Sequence, residues 1–152
     1  GGILDKFIGD GVMALFGAID ESQSPDDAAI AAVRAAMDLA KKFNEIAARL
    51  EVRWKNVRND NYEWPQLGCG INTGNKVLVG MIKTDSQCQY TALGPAVKFA
   101  ARIQEQSKGN QILMSQTTAS RVEREIPVFS CGKIDKIKGV SGSFEVFSVI
   151  PC

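Results

Sequence analysis

An α+β fold is the class the sequence predicts, and three patterns carry it. Two helical stretches with an apolar face, opening at Pro25 and Pro95, are set among short segments of strand character. Strands and helices interleave without the strict alternation of a doubly wound sheet. Glycine-centred turns punctuate the apolar runs. At 152 residues the chain has the length of one domain, about 150 residues being usual, so residues 1–152 are read as a single unit.

Residues 1–17 predict a hairpin: Ile3, Leu4, Phe7 and Ile8 lead into Gly9-Asp10-Gly11, and Val12 to Phe16 lead out, with Asp-Gly as the turn signal. Ser24-Pro25-Asp26-Asp27 then carries helix-start chemistry: a capping hydroxyl, a proline suited to the first turn, and two carboxylates at the positive end of the helix dipole. Ala29, Val33, Ala36, Ala40, Phe43, Ala47 and Leu50 recur at steps of four and three, which makes them one buried face. The pattern dissolves over residues 52–64, a polar connection. Strands are expected at 67–72 and 76–82, joined by a turn at 73–75, and another at 90–94. A second helix starts at Pro95 and ends near Lys108, with Gly109 as its cap. A strand at 111–115, a short helix at 116–125 and paired strands over 131–150 complete the chain.

Composition excludes several functions. Eighteen basic against 17 acidic residues give a net charge of +1, so no broad basic field exists for nucleic acid. No apolar run approaches the roughly 20 residues that span a bilayer. Histidine is absent, which removes Ser-His-Asp and Cys-His schemes and every His-ligated metal. The four cysteines (Cys69, Cys88, Cys131, Cys152) contain no C-x-x-C pair, and reduced thiols in a cytoplasmic protein are expected.

Three segments carry candidate chemistry. In Lys6-Phe7-Ile8-Gly9-Asp10-Gly11 a carboxylate on a glycine-flanked turn can approach a hydrated Mg²⁺, and Asp10 is equally a plain turn aspartate. Gly68-Cys69-Gly70-Ile71-Asn72-Thr73-Gly74 has three residues between its second and third glycines and leads into a strand, so it is no dinucleotide fingerprint. Lys98 and Arg102, four apart on the second helix, repel each other unless an anion lies between them; a solvated cationic face is the plainer reading. Lys138-Gly139 is a similar case.

Taken in order, these pieces resemble class III adenylate/guanylate (nucleotidyl) cyclase catalytic domains, most like bacterial-type adenylate cyclases. Gly1-Gly2, Lys6-x-x-Gly9-Asp10-Gly11-Val12-Met13-Ala14, Phe16-Gly17, Gly70-Ile71-Asn72-Thr73-Gly74, Val79-Gly80, Tyr90-Thr91, Leu93-Gly94, Val97, Ala100-Ala101-Arg102 and Lys138-Gly139 carry the resemblance. It implies a ferredoxin-like α+β domain that works as a head-to-tail homodimer. It further implies attack of the ribose 3′-hydroxyl of ATP on the α-phosphorus, aided by two Mg²⁺ or Mn²⁺ ions.

By the same resemblance Asp10 is a metal ligand, and Gly9 lets the hairpin approach the substrate. Lys6 selects the purine, lysine going with ATP and glutamate with GTP. Arg102 stabilises the transition state, Lys98 stands at the ribose-orienting position, and Lys138 holds the β- and γ-phosphates. The family's first metal aspartate falls before Gly1, so the chain is expected to be the C-terminal part of the full domain, lacking its first strand and following helices and inactive alone. Any membrane link is expected only through domains outside this chain.

Two departures from the family pattern matter. Pro95 stands where an aspartate or threonine accepts from the adenine amino group, and Lys98 replaces an asparagine. They keep open a second reading, a degenerate homologue that binds nucleotide or dimerises as a regulator.

Overall fold

The computed structural model describes residues 1–18, 22–55, 64–74, 77–83, 88–134, 142–150 and 152. Along the chain run β1 (Gly2–Ile8), β2 (Gly11–Phe16), α1 (Pro25–Trp54), β3 (Cys69–Ile71), β4 (Leu78–Lys83), β5 (Cys88–Leu93), α2 (Pro95–Gln104), β6 (Ile112–Ser115), α3 (Gln116–Val122), β7 (Phe129–Ile134) and β8 (Phe144–Ser148). The α+β class holds.

A four-stranded sheet of order β3-β6-β8-β7 forms the centre, with β3 and β6 parallel and the other pairs antiparallel. Every residue of β6 is buried, because both faces of the sheet are covered. On one side Met114 joins Ala29, Ile30 and Val33 of α1, Ala119 and Val122 of α3, and Ile126. On the other, Leu113 and Val146 pack on Ile103 of α2, with Phe99 and Phe144 edge to face at 5.0 Å. Each of the large apolar side chains contributes about 1.5–3 kcal/mol by leaving water. Two antiparallel hairpins, β1-β2 and β4-β5, form separate two-stranded sheets. β3 takes β6 as its partner, and residue 75 of the turn expected at 73–75 lies outside the described residues.

Helix α1 begins as its sequence demands. Ser24 accepts from the Asp27 N–H at 3.0 Å and donates its hydroxyl to Asp27 Oδ2 at 2.6 Å, a reciprocal cap. Its expected stripe is buried only at the start: Ala36, Ala40, Phe43 and Ala47 are half-buried and Leu50 is exposed. The helix also runs past the expected end, to Trp54. Two ion pairs fasten its first half to the α3 region, Asp26 with Arg121 and Arg34 with Glu125.

Helix α2 stops earlier than expected. Beyond Gln104 the chain tightens into successive three-residue turns, Gln106 N–H to Ile103 O and Ser107 N–H to Gln104 O. The left-handed residue is Asn110 (φ 62°), not Gly109. Glycine at 109 answers a different need, since a Cβ there would collide with Gln66.

The reduced-thiol expectation is corrected at two positions. Cys131 and Cys152 form a disulfide, with Cα atoms 5.5 Å apart. Antiparallel pairing of β7 with β8 returns the chain end beside Cys131, a proximity that spacing along the sequence does not reveal. No helix among the described residues is long and apolar enough to cross a membrane.

Cys69 on β3 is a free thiol, and burial pushes it up from its ordinary value of 9.0. The folded state thus holds its proton where the unfolded chain would release it. Stability from Cys69 is present below the ordinary thiol range and is lost as pH rises above it. Urea midpoints compared at pH 7.5 and 9.5 should fall less in Cys69→Ala than in the parent; parallel falls would contradict the burial argument.

Candidate active site

The β1-β2 hairpin closes through Gly9-Asp10, because Ile8 pairs directly with Gly11. Gly9 takes φ 62°, so the first loop residue holds the positive angle, and the expected Asp-Gly turn shifts back by one position. Space around a Cβ at Gly9 is open, so backbone conformation alone asks for glycine there. Asp10 sits exposed at this tip.

Lower on the same hairpin the register breaks. Leu4 pairs with Ala14 and Lys6 with Met13, leaving Asp5 as an inserted residue. The bulge overrides strand alternation, so Asp5 and Lys6 both turn inward while Leu4 and Phe7 face out. Lys6 Nζ lies 3.4 Å from Asp5 Oδ2, with the lysine side chain 28% exposed and the aspartate fully covered. Thr91 of β5 donates its hydroxyl to the same Oδ2 at 2.9 Å, and Asp5 Oδ1 is buried with no hydrogen-bond partner among the described residues. Asp5 escapes sequence reasoning because strand alternation would send it away from Lys6.

Residues Thr91 to Gly94 lead from this contact into α2. Gly94 (φ 137°) makes the sharp entry and Pro95 fills the first turn. The helix lies close on β3, because a Cβ at Gly70 would strike the backbone of Ala100 and Gln104. Asn72 fixes its start by donating to the Ala96 carbonyl at 3.0 Å. Lys98 is exposed one turn in. Arg102, in the last turn, pairs with Glu105. Hydrogen bonding to Glu105, reinforced by its charge, raises the guanidinium above an already high range, so Arg102 is cationic at every working pH.

The structure thus links Lys6, through Asp5 and Thr91, to the strand that feeds α2, and it puts Lys98 and Arg102 on one helix. Among the described residues no hydrogen bond or ion pair joins Asp10 to Lys6, Lys98 or Arg102. Lys138 and Gly139 lie outside the described residues. Cavities of about 290 Å³ at the hairpin root and about 280 Å³ beside α3 are lined by none of the predicted site residues.

Among the described residues no group of three His, Cys, Asp or Glu could hold a metal by itself. A lone exposed carboxylate still suits Mg²⁺, which is commonly bound by one or two carboxylates plus substrate phosphates.

A sequence model described as the adenylate and guanylate cyclase catalytic domain matches residues 6–150. The chain is 32% identical, over 99% of its length, to the terminal-differentiation-specific adenylate cyclase of Dictyostelium discoideum, and covers 7% of that protein. It is 30% identical, over 91% of its length, to an uncharacterised protein of Mycobacterium tuberculosis, of which it covers 23%. The chain therefore spans under a quarter of these relatives. Among solved structures it is similar to the adenylyl cyclase CyaB from P. aeruginosa, with TM-score 0.84, 31% identity, and coverage of 98% of this chain and 71% of that one. The guanylyl cyclase Cya2 gives TM-score 0.75 and 28% identity over 97% of this chain and 68% of that one.

The positive φ at Gly9 makes a specific demand on stability. Gly9→Ala should cost about 1 kcal/mol and Gly9→Asn less, asparagine tolerating the left-handed region better. Urea unfolding of both variants checks the order, and equal costs would remove the turn assignment.

Proposed function

Because the chain belongs to the adenylate and guanylate cyclase catalytic domain family, we propose that it is the catalytic part of an adenylate cyclase, converting ATP to cyclic AMP and pyrophosphate. Lys6 carries the choice of ATP. Its ammonium is partly exposed on the inward face of β1, and an ammonium donates to adenine N1, an acceptor, whereas guanine N1 bears a hydrogen.

The ribose 3′-hydroxyl attacks the α-phosphorus in line and pyrophosphate leaves, so the protein's task is positioning and charge stabilisation. Arg102 supplies a planar cation to the α-phosphoryl oxygens as charge develops there. Lys98 adds a second positive charge one turn away. Lys138 holds the β- and γ-phosphates, and Gly9 lets the hairpin tip approach the triphosphate without a side chain between. Asp10, with phosphate oxygens and a further acidic donor, would hold Mg²⁺ or Mn²⁺, two ions in all, whose charge would neutralise the triphosphate and ease deprotonation of the 3′-hydroxyl.

A second copy of the chain, arranged head to tail, completes the site, Asp10 of one working with Lys6, Arg102 and Lys138 of the other. Exposed Phe7 on β1 and exposed Leu78 and Met81 on β4 support such a partner, since apolar hairpin faces ask for cover. A cytoplasmic location fits ATP as substrate; the Cys131–Cys152 bond is the feature that sits against it.

The full-length protein with Mn²⁺ should make cyclic AMP, and Arg102→Ala and Asp10→Ala should each lower the rate by roughly a hundredfold or more. Full activity in either variant would remove this mechanism. The regulator reading rests on Pro95 and Lys98. If the parent is inactive and Lys98→Asn gains turnover, that reading wins; if the parent is active, it falls.

A further inference from the structure

The outer strand of the central sheet is least secured at a place where the chain carries a sulfur. Strand β7 has a neighbour on one side only, in the order β3-β6-β8-β7. Its ladder with β8 breaks between the pairs Ser130↔Phe147 and Lys133↔Glu145, so Cys131 and Gly132 together stand against Val146. Gly132 takes φ 88° within this bulge. Half-buried Cys131 packs on the cluster of Ile103, Leu113 and Val146, and Ile103 belongs to α2, next in the chain to Arg102. Its bonded partner, Cys152, is exposed. One sulfur thus touches the packing that seats α2 while the other is open to solvent.

We propose that Cys131 and Cys152 form a reversible thiol–disulfide site that sets how firmly α2 is seated. Low-molecular-weight thiols and disulfides of the glutathione type open and close it. In closing, the Cys152 thiolate attacks one sulfur of the small disulfide, forming a mixed disulfide and releasing one small thiolate. The Cys131 thiolate then attacks the Cys152 sulfur and releases the second. Two protein thiols are oxidised, and one small disulfide is reduced to two thiols that take up the released protons. The bond fastens the bulge where regular ladder pairing is lost; opening it leaves β7 held by the pairs on either side. Reversibility also removes the conflict with a cytoplasmic setting, where the disulfides that occur are usually transient. The effect on turnover rests on the cyclase reading, because it passes through α2 to Arg102; the thiol chemistry does not.

The test equilibrates the full-length protein in buffers from mostly oxidised to about 100:1 reduced glutathione. Alkylation and peptide mass then read the state of Cys131 and Cys152, and amide hydrogen exchange reads α2. The bond should open within that range, and α2 amides should then exchange roughly tenfold faster. The melting temperature should fall by roughly 5–10 °C. With Mn²⁺ and ATP, kcat should fall roughly threefold while KM holds, since Arg102 acts on charge that develops in the transition state. Cys152→Ser, a change at an exposed position, should match the opened parent in every buffer.

A bond that persists in excess reduced glutathione, or never forms in oxidised glutathione, overturns the proposal. So does a bond that cycles without altering α2 exchange, or an equal kcat in both states of an active enzyme. If the bond cycles and α2 responds but neither state makes a cyclic nucleotide, the cyclase reading fails and the redox site stands.

Discussion

Helix α2 stands where it does because residue 70 has no side chain. Backbone meets backbone at the crossing of β3 and α2, and anything larger than hydrogen at Gly70 would push the helix off the sheet. Much else depends on that approach. It lets Ile103 bury completely against Leu113 and Val146, which closes one face of the central sheet. It also fixes the axis along which Lys98 and Arg102 are displayed. A glycine that looks like part of a nucleotide-binding loop in the sequence thus serves packing, and serves the site only through the helix it admits.

The elements easiest to read in the sequence are those governed by local chemistry. Ser24 and Pro25 start α1 and Pro95 starts α2 because capping and a fixed φ need only neighbouring residues. What escaped reading is set by partners far along the chain. The bulge at Asp5 exists because β1 must match β2, so no periodicity in either strand announces it. Parallel pairing of β3 with β6, and the meeting of Cys131 with Cys152, follow from topology. The candidate site divides the same way. Lys6, Asp10, Lys98 and Arg102, like the Tyr90-Thr91 pair, are visible as residue types in an ordered pattern, whereas the contact of Thr91 with Asp5 becomes visible only when two hairpins touch.

Electrostatics along α2 treat its two cations differently. No acid occupies its first turn, and Lys98 sits near the positive end of the helix dipole, where a cation is disfavoured. Arg102 near the opposite end is favoured by the dipole and further by Glu105. Stability alone would exchange Lys98 for a neutral or acidic residue, the more so with another cation four positions on. Arg102 thus has its countercharge within the chain in Glu105, and among the described residues no ion pair answers Lys98.

Pro95 belongs to the same local geometry. In the first turn of α2 it suits the helix, since its missing N–H would have had no intrahelical partner and its φ is already correct. The polar ties at this end of the helix come from residues outside it: Asn72 donates to the Ala96 carbonyl at 3.0 Å, and Thr91, on the strand that feeds α2, donates to Asp5 Oδ2 at 2.9 Å. The second tie exists only because β1 departs from regular pairing at Asp5. The departure that weakens the hairpin ladder is thus the feature that joins the β1-β2 hairpin to the strand entering α2.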